Sequence, residues 1–261
     1  MSLDDRIASP EGKRAYVRGL FATIADRYDF ITVALSYGQD RRWKRRLIRL
    51  AEIRAGCRVL DLATGTGDIA FAAAARGARV VGLDITRRMI ELARSKGQDG
   101  QDGQDRRDGT VLSLPAHPAL PAYPAHPAFL VGDMLALPFP AASFDIVTTG
   151  YGLRNVPDLT LAIDEIRRVL SPGGQLLSLD FNRPTAPIVR SAYLAYLTVV
   201  GASLGWILHR DPDTYRYIPA SIRRYPGADG VARLFEGRGF ARVTVHPVLG
   251  GLMTIHHAIR D

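Results

Sequence analysis

The fold of this chain is constrained most by an apolar run that ends at an acidic residue and is followed by a glycine-containing loop. The stretch VLDLATGTGD, residues 59–68, has the pattern of a buried strand, a tight turn and the start of a helix. Gly65, Gly67 and Ala70 fit the G-x-G-x-x-G/A spacing, in which small residues let the backbone approach a ligand and the helix N-terminus offers free N–H groups. We therefore expect a nucleotide-like cofactor at this loop.

Strands and helices alternate along the rest of the chain. Apolar strands are predicted at 57–62, 78–84, 129–134, 144–150 and 175–181, with helices between most of them. Strand and helix in turn produce a doubly wound parallel sheet, and two late strands close in sequence indicate a hairpin. The predicted fold class is α/β: a Rossmann-like, doubly wound, mostly parallel seven-stranded sheet with a C-terminal antiparallel hairpin.

The chain divides into a helical N-terminal segment and a sheet domain. Residues 1–50 predict a helical lid, and residues 51–261 carry the alternating strands and helices. Residues 97–128 contain GQDGQDGQD and a proline-rich tract, a composition that cannot bury a core, so we predict a low-complexity loop there. Residues 191–208 carry no charge, but Ser, Thr and Gly interrupt them; a helical cover insertion at 185–225 is predicted rather than a membrane span.

Composition excludes several kinds of site. The single cysteine, Cys57, rules out an internal disulfide and a cysteine-based zinc site, and we predict no metal. The net charge of +8 would suit nucleic acid or an anionic membrane surface, but a bias toward arginine explains it equally well. The N-terminal residues lack the apolar stretch of a secretory signal, so a cytoplasmic protein is expected.

Acidic residues follow the strands at the edge where the glycine loop lies. Asp84 ends the second strand, where a carboxylate accepts hydrogen bonds from both hydroxyls of a ribose. Asp133 follows the third strand, where it would accept from an adenine amino group. NAD and S-adenosylmethionine (SAM) both carry adenosine, so the terminal hairpin decides for SAM, because it resembles the class I SAM methyltransferases. The predicted cofactor-binding residues are Asp61, Gly65, Thr66, Gly67, Asp84, Asp133, Met134 and Gly150.

Longer stretches resemble the ubiquinone/menaquinone biosynthesis C-methyltransferase family. YDFITVALSYGQDRRWKR, residues 28–45, is similar to the N-terminal signature of that family. GYGLRNVPDLTLAIDEIRRVLSPGG, residues 150–174, is similar to its second signature, and residues 213–240 resemble its C-terminal third. The chain departs from the family pattern at Ile31-Thr32, where the signature has Met-Asn, and at Thr64, where a glycine is usual.

The resemblance implies SAM-dependent C-methylation of a polyprenylated quinol, either demethylmenaquinol to menaquinol or the equivalent step of the ubiquinone pathway. It implies that Arg154 stabilises a phenolate, that Asn155 donates to the second quinol oxygen, and that Tyr28 acts as a lid contact or proton relay. The alternative for this stretch is a structural loop, in which Arg154 pairs with an acid and Asn155 caps the next helix. His256 is interpreted as a core or rim histidine in preference to an acid–base group.

The same resemblance defines the expected partners. A polyprenyl quinol lies in the bilayer, so we expect peripheral association with the inner face of the membrane, aided by the basic helix around residues 41–49. No nucleic acid partner is expected, and a homodimer is left open. Three alternatives compete: a SAM methyltransferase for another small aromatic or lipid acceptor, an RNA methyltransferase, and a non-catalytic SAM-binding scaffold subunit of a quinone-synthesis complex.

Overall fold

Seven strands pair into one sheet in the computed structural model, which describes residues 3–36, 38–105, 126–211 and 214–261. The strands are β1 (Arg58–Leu62), β2 (Arg79–Asp84), β3 (Ala128–Val131), β4 (Phe144–Gly150), β5 (Leu170–Phe181), β6 (Phe240–Val248) and β7 (Met253–Arg260). Their order is β3-β2-β1-β4-β5-β7-β6. Strands β1 to β5 pair in parallel, and β7 lies antiparallel between β5 and β6. The predicted fold class, including the terminal hairpin, is confirmed.

Helices precede the first strand, connect most of the parallel strands and fill the segment between β5 and β6. They are α1 (Leu3–Arg6), α2 (Pro10–Ile24), α3 (Tyr28–Leu35), α4 (Asp40–Leu50), α5 (Asp68–Ala74), α6 (Arg87–Asp105), α7 (Leu159–Val169), α8 (Pro187–His209), α9 (Tyr217–Arg224) and α10 (Ala228–Glu236). Side-chain caps fix two of the starts. Ser9 accepts from the Gly12 N–H at 3.0 Å before α2, and Asp158 accepts from the Leu161 N–H at 3.0 Å before α7.

Helix α6 is longer than the sequence predicts. The composition of residues 97–128 predicts a loop, and that prediction is wrong over residues 97–105, which continue α6. The buried side chains of Met89, Ile90 and Ala93 anchor the first half of the helix, and each residue added to an existing helix gains a backbone hydrogen bond. The remainder of the predicted loop at residues 106–125 lies outside the described residues.

Alternate strand residues build a core on each face of the sheet. Val59 and Ile146 belong to one cluster, which includes side chains of α4, α5 and α6. Leu60, Leu62 and Val147 belong to the other, with side chains of α7 and α10. Burial on both faces is typical of a parallel sheet covered by helices. The ends of β1, β2 and β4, which carry part of the predicted site, therefore lie in the buried centre of the sheet.

The predicted lid and the predicted cover pack against each other. Val17 of α2 shares a cluster with Tyr217 of α9. Ile24 of α2 and Ile31 of α3 share another with Tyr215, and α8 side chains pack against it. The two segments are far apart in sequence, but they form one helical layer beside the sheet.

Candidate active site

The glycine loop and Asp84 are joined by backbone hydrogen bonds. The Gly65 N–H donates to Asp84 Oδ2 at 3.0 Å, and the Thr86 N–H donates to Asp84 Oδ1 at 2.8 Å. Burial raises the pKa of the Asp84 carboxyl, although both N–H donors favour its ionised form. Each oxygen accepts one of these bonds and keeps capacity for another, so the pair can receive two hydroxyl donors from a ligand.

A cavity lies directly over this loop, and we call it the loop cavity. Its lining brings together most of the predicted cofactor-binding residues, namely Gly65, Asp84, Asp133, Met134 and Gly150. Asp133 Oδ1 accepts from the Leu135 N–H at 2.9 Å, and its Oδ2 lies 3.2 Å from the Arg14 guanidinium of α2. The lid therefore supplies a cation at the rim of the loop cavity.

Asp61 lies below the glycine loop and is fully buried. Its two oxygens accept from the Thr64 hydroxyl at 2.6 Å and from the Thr148 hydroxyl at 2.7 Å. Burial raises the pKa of Asp61 to about 6, against the effect of these two donors. Asp61 lines a small neighbouring cavity and not the loop cavity, so its structural bonds fix the loop from beneath.

Thr66 and Gly67 also lie away from the loop cavity. The Thr66 hydroxyl donates to Asp29 at 2.6 Å and accepts from Lys96 at 3.0 Å, so its hydrogen bonds go to protein groups. Gly67 precedes α5 with φ +88°, and a Cβ there would lie 2.8 Å from the Phe129 ring. The backbone turn requires a glycine at this position.

A larger, mostly apolar cavity of about 490 Å³ lies in the helical layer, and we call it the helical cavity. Its walls include Trp43 of α4, Leu197 of α8 and Tyr217 of α9, and Arg154 also lines it. Tyr28 and Tyr151 line both the helical cavity and the loop cavity. The two cavities therefore meet at these two tyrosines.

Tyr151, which sequence reasoning did not single out, organises the junction. It follows β4 with φ +62°, a conformation that costs free energy for a residue with a side chain. Its hydroxyl donates to Asp40 at 2.6 Å, and its carbonyl accepts from Arg154 at 2.9 Å and from Asn155 at 2.7 Å. The strained backbone thus points one carbonyl at both predicted catalytic residues.

Arg154 forms a buried ion pair with Asp180 at the end of β5. Arg154 Nη1 lies 2.7 Å from Asp180 Oδ1, and the Arg154 backbone N–H donates to Oδ2 at 3.1 Å. The guanidinium stacks over the Phe181 ring at 4.6 Å. Among the described residues Arg154 Nε has no hydrogen-bond partner. Asp180 was missed from the sequence, although an acid at the end of a predicted strand was the signal that identified Asp84.

The structure places both Asn155 and His256 outside the lining of the helical cavity. Asn155 donates through Nδ2 to the Tyr151 carbonyl and lines the loop cavity, so the expected bond to the second quinol oxygen does not match its position. Asp158, not Asn155, caps the following helix. His256 is fully buried in β7 with Nε2 at 2.9 Å from the Ala228 carbonyl oxygen, and burial lowers its pKa. His256 is thus a core residue, as interpreted.

Tyr28 closes over the glycine loop from α3. A Cβ placed on Gly65 would lie 3.6 Å from Cε1 of the Tyr28 ring, so the ring stands directly over the loop. Burial raises the pKa of the Tyr28 phenol, and Lys44 and Arg154 act in the opposite direction. The hydroxyl is therefore protonated near neutral pH and has a proton available to donate.

Lys13 of α2 fastens the lid to the turn that carries Arg154. Its Nζ donates to the Arg154 carbonyl at 3.1 Å and to the Val156 carbonyl at 2.6 Å. Burial, together with the charges of Arg224 and Arg154, lowers the pKa of Lys13 to about 8. This amine holds the lid helix against the junction of the two cavities.

Metal sites and membrane-spanning helices are two further features to consider in this chain. The residues that the structure describes contain no group of His, Cys, Asp and Glu that could hold a metal ion. Within the same residues α8 is the one helix long and apolar enough to cross a membrane by length and composition, and 28% of that stretch is buried. Tyr193, Tyr196 and Leu197 of α8 line the helical cavity, so part of its apolar surface serves the site.

Comparisons with known proteins agree with this architecture. Solved structures share the fold at low identity: the Synechocystis magnesium protoporphyrin IX methyltransferase with bound SAH has a TM-score of 0.63 at 17% identity, covering 95% of this chain and 99% of that one. A SAM-dependent methyltransferase from Thermotoga maritima, a possible histamine N-methyltransferase, has a TM-score of 0.61 at 16% identity, covering 94% and 100%. These similarities establish the class I SAM methyltransferase fold.

Sequence comparison is more specific. The ubiE/COQ5 methyltransferase family model matches residues 10–106 and 123–260. The ubiquinone/menaquinone biosynthesis C-methyltransferase UbiE of Pseudomonas putida is 35% identical over 96% of this chain and 91% of the relative. UbiE of Saccharophagus degradans is 33% identical, covering 95% and 92%. The chain therefore belongs to the ubiE/COQ5 methyltransferase family, whose members are SAM-dependent methyltransferases of quinone biosynthesis.

Proposed function

We propose that this enzyme transfers the methyl group of SAM to a ring carbon of a polyprenylated quinol, such as demethylmenaquinol or the equivalent intermediate of the ubiquinone pathway. The observation that carries the proposal is the meeting of the loop cavity and the helical cavity at Tyr28 and Tyr151. A cofactor in one cavity and an aromatic head in the other would face each other there. The names of the relatives support a quinol as the acceptor.

The loop cavity has the chemistry that SAM requires. The Asp84 oxygens retain acceptor capacity for a ribose diol, and Met134 gives an apolar wall for adenine. Asn155 Oδ1 is a buried acceptor with no partner among the described residues, which suits an ammonium donor. SAM supplies a methyl group activated by its sulfonium, and this cofactor has no phosphate, so the loop needs no phosphate-binding cation.

On the acceptor side, a ring carbon becomes nucleophilic when the neighbouring hydroxyl, with a pKa of about 10 in water, ionises. We assign stabilisation of that phenolate to Arg154, whose side chain lines the helical cavity and whose Nε–H has no partner in the described ranges of the chain. Asp180 balances the charge of the guanidinium and fixes its direction. Stabilisation therefore comes from an oriented N–H donor more than from an unpaired charge. The carbon–methyl bond forms as the methyl–sulfur bond breaks and S-adenosylhomocysteine leaves; the methylated ring carbon then gives its proton to water, which restores the aromatic ring.

The helical cavity suits the start of an isoprenoid tail because its lining is mostly apolar. The same helix that lines it, α8, also exposes apolar side chains to solvent, including Val199, Trp206 and Ile207. Contact of this face with a lipid surface would let the tail enter from the bilayer. We expect flotation with anionic liposomes at low salt, and weaker flotation after Trp206→Ser. Flotation unaffected by that substitution would contradict contact through α8.

The test of the proposed function is transfer of the labelled methyl group of SAM to a panel of reduced acceptors by the purified enzyme. A short-chain demethylmenaquinol, the corresponding ubiquinone precursor and unrelated phenols separate the two quinone steps from another aromatic acceptor. Mass spectrometry of quinones from cells lacking the protein should show the unmethylated precursor. SAM binding with no transfer to any quinol would instead favour a scaffold role.

A further inference from the structure

Tyr217 of α9 carries a buried hydroxyl that the fold leaves without a partner. The side chain is 1% exposed, and among the described residues its Oη makes no hydrogen bond. An unpaired hydroxyl in a protein interior is costly, because it has lost its hydrogen bonds to water. Since Tyr217 lines the helical cavity, a ligand in that cavity can supply the missing partner.

The ring of Tyr217 is held in place by its neighbours. It packs against the Tyr16 ring with centroids 5.5 Å apart, and it shares a cluster with Ile7 and Val17. Burial raises the pKa of the Tyr217 phenol well above its usual range, while Arg154 lowers it and Asp180 raises it further. The hydroxyl therefore remains protonated, and able to donate, throughout the physiological range, and the ring that carries it is packed on several sides.

Within the part of the chain that the structure describes, two buried donors line the helical cavity without a partner: Arg154 Nε–H and Tyr217 Oη–H. A quinol presents two ring oxygens, and the proposed function assigns one of them to Arg154. Asn155, expected from the sequence to hold the second, lies on the loop cavity. A second donor is needed on the acceptor side, and Tyr217 is a buried, protonated phenol that lines this cavity.

We propose that Tyr217 binds the acceptor head group by donating a hydrogen bond to its second ring oxygen, so that it selects acceptors with two oxygens over monophenols. The proposal rests on the proposed function, because it takes a quinol as the occupant of the helical cavity. It makes Tyr217 a specificity-determining residue, separate from the group that stabilises the reacting phenolate.

The chain offers a matched control for the test. Tyr225, just after α9, is also buried, and its Oη also lacks a partner among the described residues, but it does not line the loop cavity or the helical cavity. Tyr217→Phe and Tyr225→Phe each remove one orphaned hydroxyl and preserve the ring. A purely structural role predicts the same behaviour for the two variants.

The acceptors are a short-chain 2-prenyl-1,4-naphthoquinol, kept reduced, and the matching 1-naphthol that lacks the second oxygen. We expect Tyr217→Phe to lower kcat/KM for the quinol about tenfold and to leave the naphthol nearly unchanged, since a lost hydrogen-bond partner has about this effect. The Kd for SAM should not change. Tyr225→Phe should match the wild type with both acceptors. Equal kinetics for the two variants with the quinol would overturn the proposal.

A direct binding readout separates this proposal from the proposed function. Trp43 lines the helical cavity, so a bound 2-prenyl-1,4-naphthoquinone should quench its fluorescence. Measurements in a Trp206→Phe background remove the exposed second tryptophan. If the wild type transfers no methyl group but the probe binds about tenfold more weakly to Tyr217→Phe, the proposed function fails and the assignment of Tyr217 stands. Equal probe affinity in the two proteins refutes the assignment.

Discussion

Replacing Asp180 by Asn tests whether the buried pair with Arg154 holds the acceptor side of the site. The Arg154 and Asp180 side chains are 6% and 1% exposed, and the closest atoms are 2.7 Å apart. At that separation, with an effective dielectric constant of about 20, the attraction is about 6 kcal/mol. Desolvation of both ions offsets part of it, and breaking a buried pair typically costs about 3–5 kcal/mol, because one charge remains uncompensated. We expect Asp180→Asn to lose about that much stability.

Urea unfolding of the wild type, Asp180→Asn, Arg154→Met and the double variant measures the pair directly. Each single variant leaves one buried charge uncompensated, whereas the double variant removes both charges. The double variant should therefore lose less free energy of unfolding than the two single losses combined, by at least about 2 kcal/mol. Arg154→Met should also lower kcat by about 10²–10³-fold, as expected for an oriented donor to an oxyanion, with the Kd for SAM unchanged. Additive losses in the cycle, or near-normal kcat without the guanidinium, would refute this reasoning.

Three further predictions address the cofactor loop and the lid. Asp84→Asn should weaken SAM binding by about 10–100-fold in calorimetry, because hydrogen bonds to a charged group contribute about 1.5–3 kcal/mol; unchanged affinity would exclude Asp84 from the cofactor site. Gly67→Ala should cost about 1–3 kcal/mol of stability, since φ is +88° and the Cβ would lie 2.8 Å from Phe129, whereas the control Gly19→Ala, with nothing within 4 Å, should not destabilise. The folded-state pKa of Lys13 is about 8, below its unfolded value, so the unfolded chain binds more protons at this amine between about pH 8 and 10. The free energy of unfolding should therefore rise with pH over that range, by up to about 2 kcal/mol. Lys13→Met should remove that rise when unfolding is measured as a function of pH.

The sheet and the cofactor loop are predictable from sequence because local patterns specify them. The run from Val59 to Asp68 encodes strand, turn and helix within ten consecutive residues. Asp84 takes its place from the parallel register of β1 and β2, which brings the two strand ends to one edge. By contrast, the prediction of a loop at residues 97–105 rested on the composition of the GQD repeat alone. The buried residues that anchor α6 precede that repeat, and the helix that they start continues into it.

The surroundings of Arg154 could not be predicted from the sequence because their contacts join distant segments. Tyr151 looks like an ordinary loop residue in GYGLRN, and only the fold shows its hydroxyl donating to Asp40, 111 positions away in the chain. Asp180 is separated from Arg154 by 26 positions, with a helix and a strand between them. For Thr66 and Asp61 the sequence located the residues correctly at the loop, but it could not show that their polar atoms bond to protein groups.

The lid links the two cavities physically. Phe21 and Tyr28, both from the N-terminal segment, line the loop cavity and the helical cavity alike. Lys13 of the same segment donates to the carbonyl of Arg154, so the position of α2 also sets the turn that carries the guanidinium. The proposed cofactor and acceptor sites therefore share one wall. In the proposed reaction, a wall that keeps water from the junction of the two cavities would strengthen the Arg154 donor when charge forms on the ring oxygen.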